Sequence, residues 1–63
     1  MKSLGNRAVP SLRPGDRVTH DKFGLGTVVS ADGYGNDAEA KIDFGGEYGV
    51  KHLVLRYAPL EKL

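Results

Sequence analysis

The clearest order in this chain is an alternation of period two. In Ala38-Glu39-Ala40-Lys41-Ile42-Asp43-Phe44, the residues Ala38, Ala40, Ile42 and Phe44 share one face and Glu39, Lys41 and Asp43 the other. That is the signature of a half-buried strand. Ala-Glu-Ala-Lys alone would suit a helix, but the β-branched and aromatic end and the flanking glycines favour a strand. Small residues first and large ones last suit a strand that crosses a tapering core. Arg17-Val18-Thr19-His20 alternates too, with Val18 turned inward. Asp21-Lys22-Phe23-Gly24 supplies turn chemistry, and Gly26 gives a second place to bend before the β-branched run Thr27-Val28-Val29.

Turns and strands keep trading places downstream. Asp32-Gly33-Tyr34-Gly35-Asn36-Asp37 is the densest turn signal and predicts a hairpin tip. Gly45-Gly46-Glu47-Tyr48-Gly49 is the next turn. Val50–Leu55 then reads as a strand, with Lys51, Leu53 and Leu55 on one face and Val50, His52 and Val54 on the other. Both faces are partly apolar, so one of them needs a purpose beyond solvation. Arg56-Tyr57-Ala58-Pro59 suggests a single 3₁₀ turn, and Leu60–Leu63 a short last strand. The fold class expected is all-β: a small five-stranded SH3-like barrel with one 3₁₀ turn before the last strand, whose closure would remove free edges. Val18, Val28, Ile42, Phe44, Leu53 and Leu60 should form the core, with parts of Ala31, Leu55 and Tyr57. Residues 1–11 show no periodicity and read as a flexible linker, leaving 12–63 as the barrel domain. Leu12, bracketed by Pro10 and Pro14, either caps the core or faces a partner.

Composition narrows the choice further. With 63 residues there is room for one domain and a handful of core side chains. Absence of cysteine excludes disulfides and thiolate metal sites. No apolar run approaches the roughly 18 residues of a membrane span, and Met1–Asn6 has no signal-type apolar stretch. The expectation is a cytoplasmic chain without a membrane role. Net charge is +1 but unevenly spread: +3 over residues 1–30, −4 over 31–48 and +2 over 49–63. A dedicated nucleic-acid domain is usually more basic, so a protein partner suits this surface better.

Catalytic chemistry is hard to find. Gly24-Leu25-Gly26-Thr27 lies between strands and opens no helix, so no phosphate cradle forms there. His20 and His52 could meet Asp16 or Asp43 around a metal, but no ligand pair has the usual spacing, and both histidines read as solvent-facing or rim residues. The serines lack a His/Asp arrangement, so no catalytic residue and no metal are assigned, and the chain reads as a non-enzyme. Tyr34 and Tyr48 could cage a methylated side chain, although each more simply covers its own turn. Arg13, Arg17, Lys22, Lys51 and Arg56 could line a basic face. Lys22, Arg56 and Tyr34 are the candidate DNA contacts, Tyr34 by stacking on bases. Gly24, Gly26 and Gly49 read as backbone requirements, and Asp16 as an acceptor for a turn N–H.

Taken together, Gly15-Asp16-Arg17-Val18-x-His20-x-Lys22-Phe23-Gly24-x-Gly26-Thr27-Val28-Val29, Gly33-x-Gly35-x-Asp37, Phe44, Gly49-Val50-Lys51-x-Leu53 and the ending Ala58-Pro59-Leu60-Glu61-Lys62-Leu63 form a combined motif. Over residues 12–63 the chain resembles the C-terminal Tudor-like domain of UvrD/PcrA-type bacterial DNA helicases. Leu12 departs from the tryptophan that family often carries. The resemblance implies a parent that is an ATP-dependent 3′-to-5′ helicase of DNA repair. Its ATP and Mg²⁺ sites would lie in motor domains absent here, so this chain would need no cofactor. It further implies a monomeric domain in the nucleoid-associated cytoplasm that binds the RNA polymerase β subunit, as similar barrels in transcription-repair coupling factors and CarD-like regulators do. Through that contact the helicase would be linked to transcription-coupled repair and R-loop control. Lys51 falls on the lysine of the family's G-[IV]-K-x-L strand, which implies polymerase contact. Leu12, Leu25 and Val54 would add apolar contacts, and Arg13 and Arg17 further charge. The alternative is a DNA-contacting or autoregulatory domain of the same helicase; a reader of modified peptides is a third.

Overall fold

The computed structural model describes residues 11–63; the linker assigned to residues 1–11 therefore lies outside the described residues except for Ser11. Five antiparallel strands follow one another: β1 (Arg17–His20), β2 (Gly24–Asp32), β3 (Glu39–Asp43), β4 (Val50–Val54) and β5 (Leu60–Lys62). They hydrogen-bond in the order β4-β3-β2-β1-β5. The first four thus form a meander, and β5 returns beside β1, with His20 opposite Leu60 and Val18 opposite Lys62.

The alternation of β3 survives intact. Ala38, Ala40, Ile42 and Phe44 are buried, while Lys41 and Asp43 face solvent. In β4, Lys51 and Leu53 lie partly covered on the inner face, and Val50, His52 and Val54 point outward. In β2 the alternation is reset partway. The register slips between Val28 and Ser30, so Val29 is an extra residue without a partner on β3. Such a bulge bends its strand and increases the local twist. Here it leaves Val29 half exposed and brings Ala31, opposite Ala40, back to the inner face. The sheet curls over its core at that bend.

Three expectations need correction. The sheet curls without closing, because β4 and β5 do not pair and remain its two edges. The backbone between them is occupied elsewhere: Leu55 N–H donates to the Ala38 carbonyl at 3.0 Å, and Tyr57 and Ala58 donate back to Val54 and Leu55. Those last two bonds make a hydrogen-bonded turn before β5, whereas the 3₁₀ helix of the described residues is Gly35–Asp37 in the β2–β3 loop. Finally, Tyr57 is 75% exposed and lies under the Arg56 guanidinium; Leu55 holds the core position instead. The core proper is Leu12, Val18, Val28, Ala38, Ala40, Ile42, Phe44, Leu55 and Leu60, with Phe23, Ala31, Leu53 and Ala58 packed against it. Of the two roles open to Leu12, the structure gives it the core.

Asp16 pins the entrance to β1. Its carboxylate accepts the Arg13 N–H at 2.9 Å and lies 3.5 Å from the Lys62 ammonium on β5, while its own N–H donates to the Arg13 carbonyl. The Arg13 bond, with help from Lys62, holds the carboxyl below its ordinary value of 3.8. A depressed carboxylate pKa stabilises the fold above the unfolded-state value, and that contribution disappears as pH falls through the folded value. The urea midpoint should therefore drop as pH is lowered from about 5 toward 3. Asp16→Asn should show a shallower drop over the same range, and parallel curves for the two proteins would count against this role.

Candidate interaction site

An antiparallel meander returns alternate turns to the same end. The β1–β2 turn at residues 21–23 and the β3–β4 turn at residues 44–49 meet there, and aromatic side chains fill the space between them. Phe23 stacks on His20 with ring centroids 4.5 Å apart, and meets Phe44 at 5.2 Å and Tyr48 at 5.0 Å. The β3–β4 turn is built to hold its part of this cluster. Asp43 Oδ1 accepts the Gly45 N–H at 2.8 Å, and Phe44 N–H donates to the Gly49 carbonyl at 2.9 Å. Gly49 has φ +64° and Gly24 has φ +81°, conformations that side-chain-bearing residues rarely adopt. Gly26 differs, since its φ is unexceptional and its constraint is space: a β-carbon there would meet Ile42 Cγ2 and the Phe44 ring at 2.7 Å.

His20 corrects the sequence reading. It is 7% exposed, neither solvent-facing nor at the rim. Its Nδ1 accepts the N–H groups of Lys22 at 3.0 Å and Phe23 at 3.3 Å, which leaves the ring proton on Nε2. A buried imidazole here satisfies two turn amides that would otherwise lack partners. The sequence held a signal for it: His20 lies two residues after Val18 and so on the same face. His52 is exposed on the outer face, 2.7 Å from Glu39 on the neighbouring strand. Among the described residues no three His, Asp or Glu side chains converge on a metal position.

Lys51 is partly buried on the inner side of β4, opposite Ile42. Its ammonium lies over the Phe23 ring, 5.3 Å from the centroid, and that of Lys22 is 5.9 Å from the same ring. The close contacts between a basic side chain and a carboxylate among the described residues are His52–Glu39 and Lys62–Asp16, so neither lysine spends its charge on a carboxylate there.

The other candidates do not gather here. Leu25 (61% exposed) and Arg17 line a shallow groove with Thr27 and Asp43 on the outer side of the sheet, which touches the β3–β4 turn only at Phe44 and Gly45. Val54 is on the outer face of β4, away from Lys51, and Arg13 is exposed ahead of β1. Arg56 donates to the Asn36 carbonyl, in the same β2–β3 loop as Tyr34, at the far end of the meander. Tyr34 (78% exposed) and Tyr48 thus sit at opposite ends and cannot share a cage. Among the described residues Lys22 and Lys51 share one ring, Lys62 sits beside Asp16, and Arg56 lies at the far end of the meander.

Comparison with known proteins shows the family. A family model described as the PcrA/UvrD tudor domain matches residues 15–62. An ATP-dependent DNA helicase UvrD1 of Mycobacterium leprae is 51% identical over 57 residues, which is 90% of this chain and 7% of the relative. An ATP-dependent DNA helicase PcrA of Leuconostoc citreum is 47% identical over 53 residues, 84% of this chain and again 7% of the relative. The DNA helicase II of Escherichia coli is 45% identical over 49 residues, 78% of this chain and 7% of its own length. The chain spans about a fourteenth of the curated relatives it matches.

Proposed function

Because the chain belongs to the PcrA/UvrD tudor domain family, we propose that it is a non-catalytic docking module of a UvrD/PcrA-type DNA helicase, and that it tethers this helicase to RNA polymerase through the β subunit. ATP turnover and strand separation would then belong to other domains of the parent. The observation that carries the reading is Lys51, a cation outside the ion pairs of the described residues, held in place on an aromatic cluster at the end where two turns meet. A pre-positioned charge of this kind sets orientation and encounter rate, while apolar neighbours govern how long the complex lasts. The charge of −4 over residues 31–48, which include most of the β3–β4 turn, favours a protein partner over a phosphate backbone.

Amide chemical-shift mapping of the chain against an isolated polymerase β-subunit fragment, with a short DNA as control, tests this. We expect the shifts to concentrate at residues 21–23 and 44–51, the DNA to leave the spectrum unchanged, and the affinity to fall with salt less steeply than a contact with many phosphates would. Shifts produced by DNA alone, with an affinity that collapses as salt rises, would select the DNA-contacting alternative.

A further inference from the structure

We propose that Phe23 is a positioning residue: its ring holds the Lys51 ammonium, with that of Lys22 beside the same ring, as a two-cation receptor for a carboxylate on an acidic segment of the docking partner. This rests on the docking reading and names the chemistry that the site would recognise.

The argument starts from the ring's surroundings. His20 is stacked on Phe23 with the planes 27° apart, which occupies one face. Phe44 and Tyr48 are tilted against it, which fixes its orientation. His20 is itself locked, since its Nδ1 accepts the backbone N–H of Phe23 as well as that of Lys22. The ring is therefore a fixed platform, tied to the backbone of the turn that carries it. Lys51 arrives from β4 and Lys22 from the β1–β2 turn, and both ammonium groups approach this one ring. The negative face of an aromatic ring attracts cations, most strongly where water is partly excluded. A long lysine ordinarily samples many rotamers, and ordering it on binding costs free energy. Holding it beforehand removes part of that cost, so the gain appears as affinity. Two ammonium groups near one ring also select an anionic ligand and disfavour a cationic one. The methylated-lysine ligand considered from the sequence would meet like charge here. Lys22, assigned from the sequence to DNA, joins Lys51 in this arrangement.

The test reads the positioning first and the binding second. In the wild-type chain the ring current of Phe23 should displace the Lys51 ε-methylene resonances upfield. Phe23→Leu should return them toward the values of a free lysine, and Phe23→Tyr, which keeps the ring, should leave them displaced. Against the polymerase β-subunit fragment, Phe23→Leu should lose about two- to fivefold in affinity while Phe23→Tyr binds as the wild type does. The amide spectrum of each variant reports its fold, and if Phe23→Leu fails to fold, the Lys51 resonances of the wild type and of Phe23→Tyr still decide the matter. Lys51 resonances at free-lysine positions in the wild type would overturn the proposal, as would full affinity in a folded Phe23→Leu. A ring-shifted Lys51 in a chain that ignores the polymerase fragment would uphold the positioning and overturn the docking reading.

Discussion

Gly26→Val should leave this chain largely unfolded at room temperature, and Gly26→Ala should lower its urea midpoint sharply. At Gly26 the inner face of β2 has no side chain, and the space is filled by Ile42 and the Phe44 ring from β3. A β-carbon would lie 2.7 Å from Ile42 Cγ2 and from two carbons of that ring. Ile42 is fully buried and Phe44 is 9% exposed, so neither can swing into solvent without opening the core. Overpacking of this kind costs about 1–3 kcal/mol for a single methyl-sized intrusion. A domain of this size holds only about 3–5 kcal/mol in total, so the valine, with two further methyl groups, exceeds what is available. Gly24→Ala is the control. It sits two residues earlier with open space around it, and its cost comes only from a φ of +81°, on the order of 1 kcal/mol. Loss of stability at Gly24 equal to that at Gly26 would defeat the steric account. Combining Gly26→Ala with Phe44→Leu should cost less than the two changes added separately, because the smaller side chain vacates the contested volume.

The contrast between Gly26 and Gly24 shows where sequence reasoning stops. Both glycines look alike in the chain, and both read as backbone requirements. Only the fold shows that one is needed for its φ and the other for a ring that crosses it. What was legible had a strict local period. The inner face of β3 and the two faces of β4 follow from alternation alone, because side chains in a pleated strand cannot choose their side. The bulge at Val29 was hidden, since it changes the parity of β2 without altering its composition. Closure could not be judged either: whether β4 meets β5 depends on what residues 55–59 bond to, and Leu55 bonds to Ala38, seventeen positions earlier in the chain. Tyr57 was misplaced for a related reason, as the turn that contains it presents Leu55 to the core instead. At the candidate site, the family resemblance pointed to Lys51, but nothing in the chain showed what supports it. Phe23 and Tyr48 come from separate turns, and only the return of the meander to one end brings them together.

Lys51→Ala should weaken binding to the polymerase β-subunit fragment by several-fold to a hundredfold, while leaving the chain folded, its urea midpoint lowered by no more than the loss of one cation–π contact. Truncation of a central, partly desolvated contact residue costs about 1–3 kcal/mol, and each 1.4 kcal/mol is about tenfold in affinity. The fold should tolerate the loss because Lys51 is absent from the ion pairs of the described residues and from the buried core. What it gives up is one cation–π contact with Phe23, worth about 0.5–1 kcal/mol at an exposed site. Lys51→Glu should bind more weakly still, since it places a like charge against the partner's carboxylate. Lys51→Arg should recover only part of the affinity, because a planar guanidinium occupies the Phe23 ring differently from an ammonium. Dissociation constants across a salt series give the decisive comparison. If Lys51 meets a carboxylate, the wild type should lose affinity with salt more steeply than Lys51→Ala, and the two curves should converge at high ionic strength. Parallel curves would move the charge contact to another residue, and equal affinities in low salt would remove Lys51 from the interface altogether.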